Sequence, residues 1–219
     1  MDSAEALSNS PYPGRGVAVC RTSNDGLCAL YRITGRSAAS KHRALVPDDR
    51  GLRVDDLGGS DDDPLRHYRA ARIDGDVEII GNGDHVDTMA RSTIPGSSVD
   101  EVYRLLEPEP DDLGTPRVAA AIEISTGSVT IGGARRETSG PGSQHHMLGP
   151  TSVAVGTGLL IATYTGNPNS PSPWAGPLWI SSARTMHQQI EEIWNAVDQE
   201  CRVAVAGRTH DEHARWTVR

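Results

Sequence analysis

Residues 12–43 read YPGRGVAVCRTSNDGLCALYRITGRSAASKHR. A Pro-Gly turn leads into an apolar run at 17–20, a polar Ser23-Asn24-Asp25-Gly26 segment follows, and a second apolar run covers 27–33. Asp-Gly between two such runs is a strong short-range signal for a β-hairpin. The second run empties into Gly35-Arg36-Ser37, a small-residue loop that continues to Lys41 and Arg43. Arginines and hydroxyls at the end of a strand suit a phosphate or carboxylate, whereas most loop arginines are simply solvated.

The same pattern repeats outward from this hairpin. Residues 1–10 are polar and without periodicity, which predicts a flexible tail before one domain spanning 11–219. Residues 48–63 carry Asp48, Asp49, Asp55, Asp56, Asp61, Asp62 and Asp63 without the spacing of a calcium loop, so a solvated acidic insertion is expected. Two further hairpins are expected at 67–80, around Asp74-Gly75-Asp76, and at 117–134, around Thr126-Gly127. Residues 81–85 form a Gly-Asn-Gly-Asp-His turn. Ser98 suits the N-cap of a helix over 99–106 whose Val99, Val102, Leu105 and Leu106 share a face. Loops are expected at 140–150 and 166–177, a strand at 159–164, a second helix from about residue 182, and a last strand at 202–206. Hairpin-linked strands with two helices and no βαβ alternation define an α+β, mostly antiparallel architecture.

Composition narrows the function classes. The 219-residue chain carries a formal net charge of -8, which argues against a broad nucleic-acid or anionic-membrane surface. Three cysteines without CxxC spacing suit reduced, buried thiols, no run approaches the roughly 18 apolar residues of a membrane span, and the polar start is unlike a signal peptide. A cytoplasmic location is therefore expected. Trp174, Trp179 and Trp194 lie near the C-terminal helix; tryptophan-rich surfaces favour interfaces, so a homo-oligomer is an expectation beside the plainer one that they fill the core.

The common nucleotide-loop and hydrolase fingerprints are missing, and His145-His146 and His210-x-x-His213 lack further ligands at metal spacing, so no metal is expected. What remains is a set of strand-end loops: 35–43, 82–88, 107–117 and 163–167. Their sequences, Tyr12-Pro13-Gly14-Arg15-Gly16, Gly35-Arg36-Ser37 with Ser40 and Arg43, Asn82-Gly83-Asp84 with Asp87-Thr88, Glu109 with Thr115-Pro116-Arg117, and Thr163-Tyr164 with Gly166-Asn167, occur in the order and at spacings compatible with the archaeal-type IMP cyclohydrolases. The chain resembles that family from residue 12 to about 180.

The resemblance implies a four-layer αββα sandwich of two mostly antiparallel sheets, like that of N-terminal-nucleophile hydrolases, without their amide-hydrolase chemistry, since no Cys, Ser or Thr stands as a processed start. It implies a cyclohydrolase, acting in purine biosynthesis, that closes 5-formamidoimidazole-4-carboxamide ribonucleotide to inosine monophosphate with no cofactor. A small-molecule nucleotide is then the expected partner. On this basis Glu109 is expected as the acid/base, with Glu107 as the fallback because Glu-Pro-Glu-Pro aligns two ways, and Arg117 as holding it or the oxyanion. Asp84 and Asn82 are expected to orient the base or carboxamide, and Arg36, Ser37 and Arg43 to hold the phosphate. Arg15, Tyr68, Thr88, Tyr164 and Asn167 complete the expected substrate-binding set. The chain departs from the family pattern at His42, at Arg69 and in the acidic stretch 48–63. His42 and Arg69 motivate one alternative, a related cyclohydrolase acting on another nucleotide or carboxamide in nucleoside-analogue biosynthesis; a second, of a different class, is a purine-nucleotide-binding protein that keeps the pocket without chemistry.

Overall fold

The computed structural model describes residues 3–8, 10, 12–58, 65–92, 99–211 and 214–219. The hairpin expected at 12–43 forms as β1 (Gly16–Thr22) and β2 (Gly26–Thr34), paired antiparallel. Gly26 at its turn has φ 75°, a left-handed value that favours glycine. A short helix α1 (Ser3–Ser8) precedes it and a one-turn helix α2 (Ala38–Lys41) follows. The chain continues through β3 (Arg43–Asp48), β4 (Gly51–Asp56), β5 (Tyr68–Asp74), β6 (Val77–Gly81), α3 (His85–Ser92) and α4 (Val99–Arg104). Next come β7 (Arg117–Glu123), β8 (Ser128–Arg136), β9 (Ser143–Ser152), β10 (Thr157–Ala162), β11 (Tyr164–Asn167), β12 (Ser170–Pro173) and β13 (Leu178–Ser181). Helix α5 (Met186–Ala196), β14 (Arg202–Thr209) and β15 (Thr217–Val218) close it.

The fold is α+β, with two large antiparallel sheets and few helices. One sheet runs β13-β10-β1-β2-β14-β15 and the other runs β3-β4-β5-β6-β7-β8-β9, while β11 and β12 form a separate ribbon. Strand alternation decides what faces what. Val17, Val19, Ala29, Tyr31 and Ile33 of the first sheet pack against Leu52, Val54, Ile80, Ala120, Ile122 and Ile131 of the second. On the first sheet's other face, Ala18, Cys20, Cys28, Leu30 and Leu160 meet Met186, Ile190 and Ile193 of α5 and Leu7 of α1. On the second sheet's other face, Ile79, Ala119 and Ala121 meet Val86 and Met89 of α3 and Val102 and Tyr103 of α4.

Register then brings particular strand ends together. Gly16 lies opposite both Ala162 and Arg32, and Arg202 lies opposite Thr34. These pairings put the start of β1 and the ends of β2 and β10 at one end of the first sheet. In the second sheet Arg43 lies opposite Asp56 and Gly81 opposite Ala119, which gathers the ends of β4 and β6 with the starts of β3 and β7. The two ends face each other.

Several expectations are corrected here. Residues 48–63 are not one loop: Asp48 ends β3, 51–56 form β4, and 59–64 lie outside the described residues. Within the expected tail, Leu7 is fully buried against the first sheet. The loop expected at 140–150 is mostly β9, whose exposed outer-edge side chains carry no apolar alternation. Helix α3 is an addition to the expected elements, because Gly81-Asn82-Gly83-Asp84 reads as a turn alone. Helix α4 ends at Arg104, so Leu105 lies past it and is 80% exposed, and within α4 Tyr103 takes the buried place; Ser98 lies outside the described residues. Trp174 is buried, Trp179 is exposed on an edge strand, and Arg202 and Arg219 stack on Trp194. No helix among the described residues is long and apolar enough to cross a membrane.

The Tyr103 hydroxyl is shared between Ala119 O at 2.9 Å and Thr130 O at 3.1 Å, tying α4 to β7 and β8. Tyr103→Phe keeps the ring and removes the donor, so it is expected to destabilise the fold by about 1–2 kcal/mol. Denaturant unfolding measures this; an unchanged midpoint would remove the hydroxyl from the account of how α4 is held.

Candidate active site

Where the sheet ends face each other they enclose a cleft of about 270 Å³, lined by residues that include Tyr12, Arg15, Arg36, Ser37, Arg43, Arg66, Glu109, Thr115 and Tyr164. Arg15 stands just before β1 and is buried. Its guanidinium donates to Glu109 Oε2 at 2.6 Å and to Asn82 O at 2.9 Å, joining the two sheets across the gap. Asn82 is fully buried at the end of β6. Its amide donates to Pro116 O at 2.9 Å and lies 3.4 Å from Glu109 Oε1, while its Oδ1 accepts from Val118 N–H at 2.6 Å. Asn82 therefore works as a scaffold that fixes the loop before β7 and the carboxylate beside it.

Local sequence explains how these groups fit. Gly14 has φ 66°, and a Cβ there would lie 2.2 Å from Thr163 Oγ1, so only glycine lets the chain pass this close. Thr163 latches the passage: its Oγ1 accepts from Arg15 N–H at 3.1 Å and its own N–H donates to Arg15 O at 2.9 Å. Glu109 is placed by a turn in which its N–H donates to Thr115 O at 2.8 Å. Asp111 caps that turn, accepting from Thr115 N–H at 2.7 Å and from the Thr115 hydroxyl at 2.5 Å. The Thr115 hydroxyl also lies 2.6 Å from the Tyr164 hydroxyl.

The electrostatics follow from burial. Loss of water pushes the Glu109 carboxyl above the usual carboxylate range, a rise that Arg15 opposes without cancelling. For Arg15, burial favours the neutral form, but the Glu109 carboxylate outweighs it and holds the guanidinium charged. The Tyr31 and Tyr68 hydroxyls are themselves paired at 2.8 Å beneath the cleft. Burial also raises the Tyr12 phenol, against the pull of Arg36, Arg15 and Arg43. Three arginines thus bear on one tyrosine in a protein that is acidic as a whole.

Of the twelve expected site residues, the structure brings Arg15, Arg36, Ser37, Arg43, Glu109 and Tyr164 into the cleft lining, with Asn82 and Tyr68 directly beneath. Arg36 stacks over Tyr12 at 5.9 Å and donates to Pro168 O at 3.1 Å. Ser37 caps α2 through a reciprocal pair of bonds with Ser40. Arg43 is partly committed: it donates to Ser40 O at 2.9 Å and Thr34 O at 3.0 Å, which ties α2 back to β2.

The remaining four lie elsewhere. Arg117 does not hold Glu109; it donates to Asp84 Oδ1 at 2.6 Å, and Asp84 is an exposed carboxylate outside the cleft lining. Thr88 is exposed on α3, and Asn167 is exposed at the β11–β12 turn, where its Oδ1 accepts from Asn169 N–H at 2.9 Å. Glu107, the fallback for Glu109, is exposed and accepts from Ser143 Oγ.

Several lining residues carry no separate signal in the sequence. Tyr12, Thr115 and Thr163 stand inside the motifs with nothing that sets their roles apart, and Asp111 is hidden in an acidic run. Arg66, paired with Asp56 at 3.0 Å, adjoins the acidic stretch and carried no signal.

Removing one member of a buried pair strands the other charge, which costs about 3–5 kcal/mol. Arg15→Met is therefore expected to destabilise by that amount. Arg15→Met combined with Glu109→Leu should recover part of the loss, as read by a double-mutant cycle in denaturant. Strict additivity of the two single effects would mean that the pair does not act as a unit.

A family model described as IMP cyclohydrolase-like protein matches residues 12–214. Proteins named IMP cyclohydrolase are similar to this chain. One from Methanosphaera stadtmanae is 28% identical over 148 residues, covering 62% of this chain and 72% of that protein. One from Haloquadratum walsbyi is 30% identical over 121 residues, covering 52% and 58%. One from Haloarcula marismortui is 28% identical over 207 residues, covering 90% and 93%. The match to the family model takes in β1 through β14 and every residue of the cleft lining, and the chain belongs to the IMP cyclohydrolase-like protein family.

Proposed function

We propose that this chain is an IMP cyclohydrolase, closing 5-formamidoimidazole-4-carboxamide ribonucleotide to inosine monophosphate with loss of water. The observation that carries this is the buried Arg15–Glu109 pair inside a cleft whose rim holds Arg36, Arg43 and the Ser37 and Ser40 hydroxyls. A phosphate suits the basic, hydroxyl-bearing rim, and the reacting end of the same ligand then reaches toward Glu109.

In the reaction the carboxamide nitrogen adds to the formyl carbon, and the formyl oxygen becomes a hydroxyl. The C–O bond then breaks and water leaves. One of its hydrogens comes from the carboxamide nitrogen and the other from the formamido nitrogen. A carboxyl whose pKa is raised by burial is suited to both halves, taking the amide proton and returning one to the departing oxygen. Arg15, held charged, offsets the negative charge that develops on the formyl oxygen while fixing Glu109 in place. Most of the remaining task is orientation of two groups on one molecule, which a preorganised cleft supplies.

The helices packed on the outer face of each sheet support the finer reading of the fold, the four-layer αββα arrangement of N-terminal-nucleophile hydrolases. We read residues 11–219 as one domain, with a nucleotide as its small-molecule partner. Its three buried free thiols suit the cytoplasm. Arg69 donates twice to Asp48, at 2.8 and 3.0 Å, and both it and His42 stand outside the cleft lining, so neither favours a different substrate.

Absorbance-monitored conversion of the formylated carboxamide ribonucleotide is expected with the purified protein. Glu109→Gln should keep nucleotide binding and lose about 10²–10⁴-fold in kcat. Tight binding by the wild type without turnover would turn the assignment into a binding protein. Because folding raises the Glu109 pKa, its base form is depleted at a higher pH than for a free carboxylate. The acid limb of kcat should accordingly lie above the ordinary Glu range, and a limb at or below it would remove Glu109 from the base role.

A further inference from the structure

His85, the first residue of α3, lies beneath the cleft, is buried, and has no part in the chemistry above. Its Nε2 lies 3.2 Å from Val118 O. A carbonyl only accepts, so the proton sits on Nε2 and Nδ1 carries the lone pair. That Nδ1 is buried and has no hydrogen-bond partner, which is an expensive arrangement unless something donates to it.

The adjacent carboxyl has a matching gap. Glu109 Oε2 is taken by Arg15 at 2.6 Å, whereas Oε1 has the Asn82 amide at a long 3.4 Å. Residue 83 is a glycine, and a Cβ there would sit 3.2 Å from Glu109 Oε1 and 3.2 Å from His85 Nδ1. Both atoms therefore border the same small space, left open by the missing side chain, and make no direct contact with each other.

We propose that His85 is a positioning residue for the acid/base step: its Nδ1 accepts a hydrogen bond, through one water held in that space, from Glu109 when Oε1 carries the proton. The catalytic proton is thereby held on the oxygen that Arg15 does not occupy. A neutral ring is required, and burial together with Arg117 brings the His85 pKa down to about 3, so it accepts without becoming charged. The charged groups bearing on the pair are Arg15 before β1, Asp111 in the turn before β7, and Arg117 at its start. The role in catalysis rests on the function proposed above; the hydrogen bond itself does not.

The test therefore needs a readout apart from turnover. Nitrogen-15 NMR of the histidines in the folded, substrate-free protein, titrated through the Glu109 transition, should show the His85 Nδ1 resonance moving with that transition. The step should vanish in Glu109→Gln. Gly83→Ala, which keeps both groups and fills the space between them, should weaken the step. In the same variant the acid limb of kcat should move down by roughly half to one pH unit, the effect of losing one ordinary hydrogen bond to the protonated form. A Nδ1 resonance indifferent to Glu109 would overturn the proposal even in an active enzyme. The NMR step without any turnover would leave the hydrogen bond standing and overturn the function instead.

Discussion

The cleft depends on one buried ion pair. Taking Arg15 and Glu109 out of water costs more than their attraction returns unless their remaining donors and acceptors are also met. The surroundings read as the means of meeting them: Asn82 O takes a second guanidinium N–H, and the Asn82 amide reaches toward the free carboxylate oxygen. Thr163 holds the Arg15 backbone from both sides. Because Arg15 belongs to one sheet and both Asn82 and Glu109 to the other, satisfying the pair also sets how the two sheet ends meet. A protein selected for stability alone would put apolar residues there. Keeping the charges makes sense where a proton must be moved.

The acidic whole and the basic cleft are compatible because fields between exposed charges fade over about 10 Å at moderate ionic strength. What an incoming anion meets at close range is Arg36, Arg43 and Arg66 with two serine hydroxyls. Arg43 has given two of its donors to the backbone around α2, so its part is to set the loop's shape as much as to offer charge. Arg36, stacked on Tyr12 with one bond to Pro168 O, keeps more of its donors free for a ligand.

Much of the fold was legible because its signals are local. Asp-Gly and Thr-Gly turns between apolar runs located β1–β2, β5–β6 and β7–β8, and helical spacing located α5. What was not legible lacked such signals. Strands β3 and β4 are rich in Asp and Arg and carry Pro47, and β9 is an edge strand with exposed side chains on both faces. Their pairing comes from neighbours already in the sheet. Helix α3 begins directly after Gly83-Asp84, where the turn signal masked the helix that follows.

The choice between Glu107 and Glu109 shows the same limit inside the site. Both stand before a proline in Glu-Pro-Glu-Pro, and two residues of slip exchange them. Nothing within that segment distinguishes them. Two non-adjacent contacts do: the turn closed by Glu109 N–H on Thr115 O, and Arg15, 94 residues away in sequence. The same contacts show why Arg117 could not be placed from its motif. It follows Thr115-Pro116 directly, yet its guanidinium bonds Asp84, while the cation on Glu109 comes from the opposite sheet. The acid/base role proposed for Glu109 rests on what buries it and what charge it faces, and both are properties of the assembled sheets.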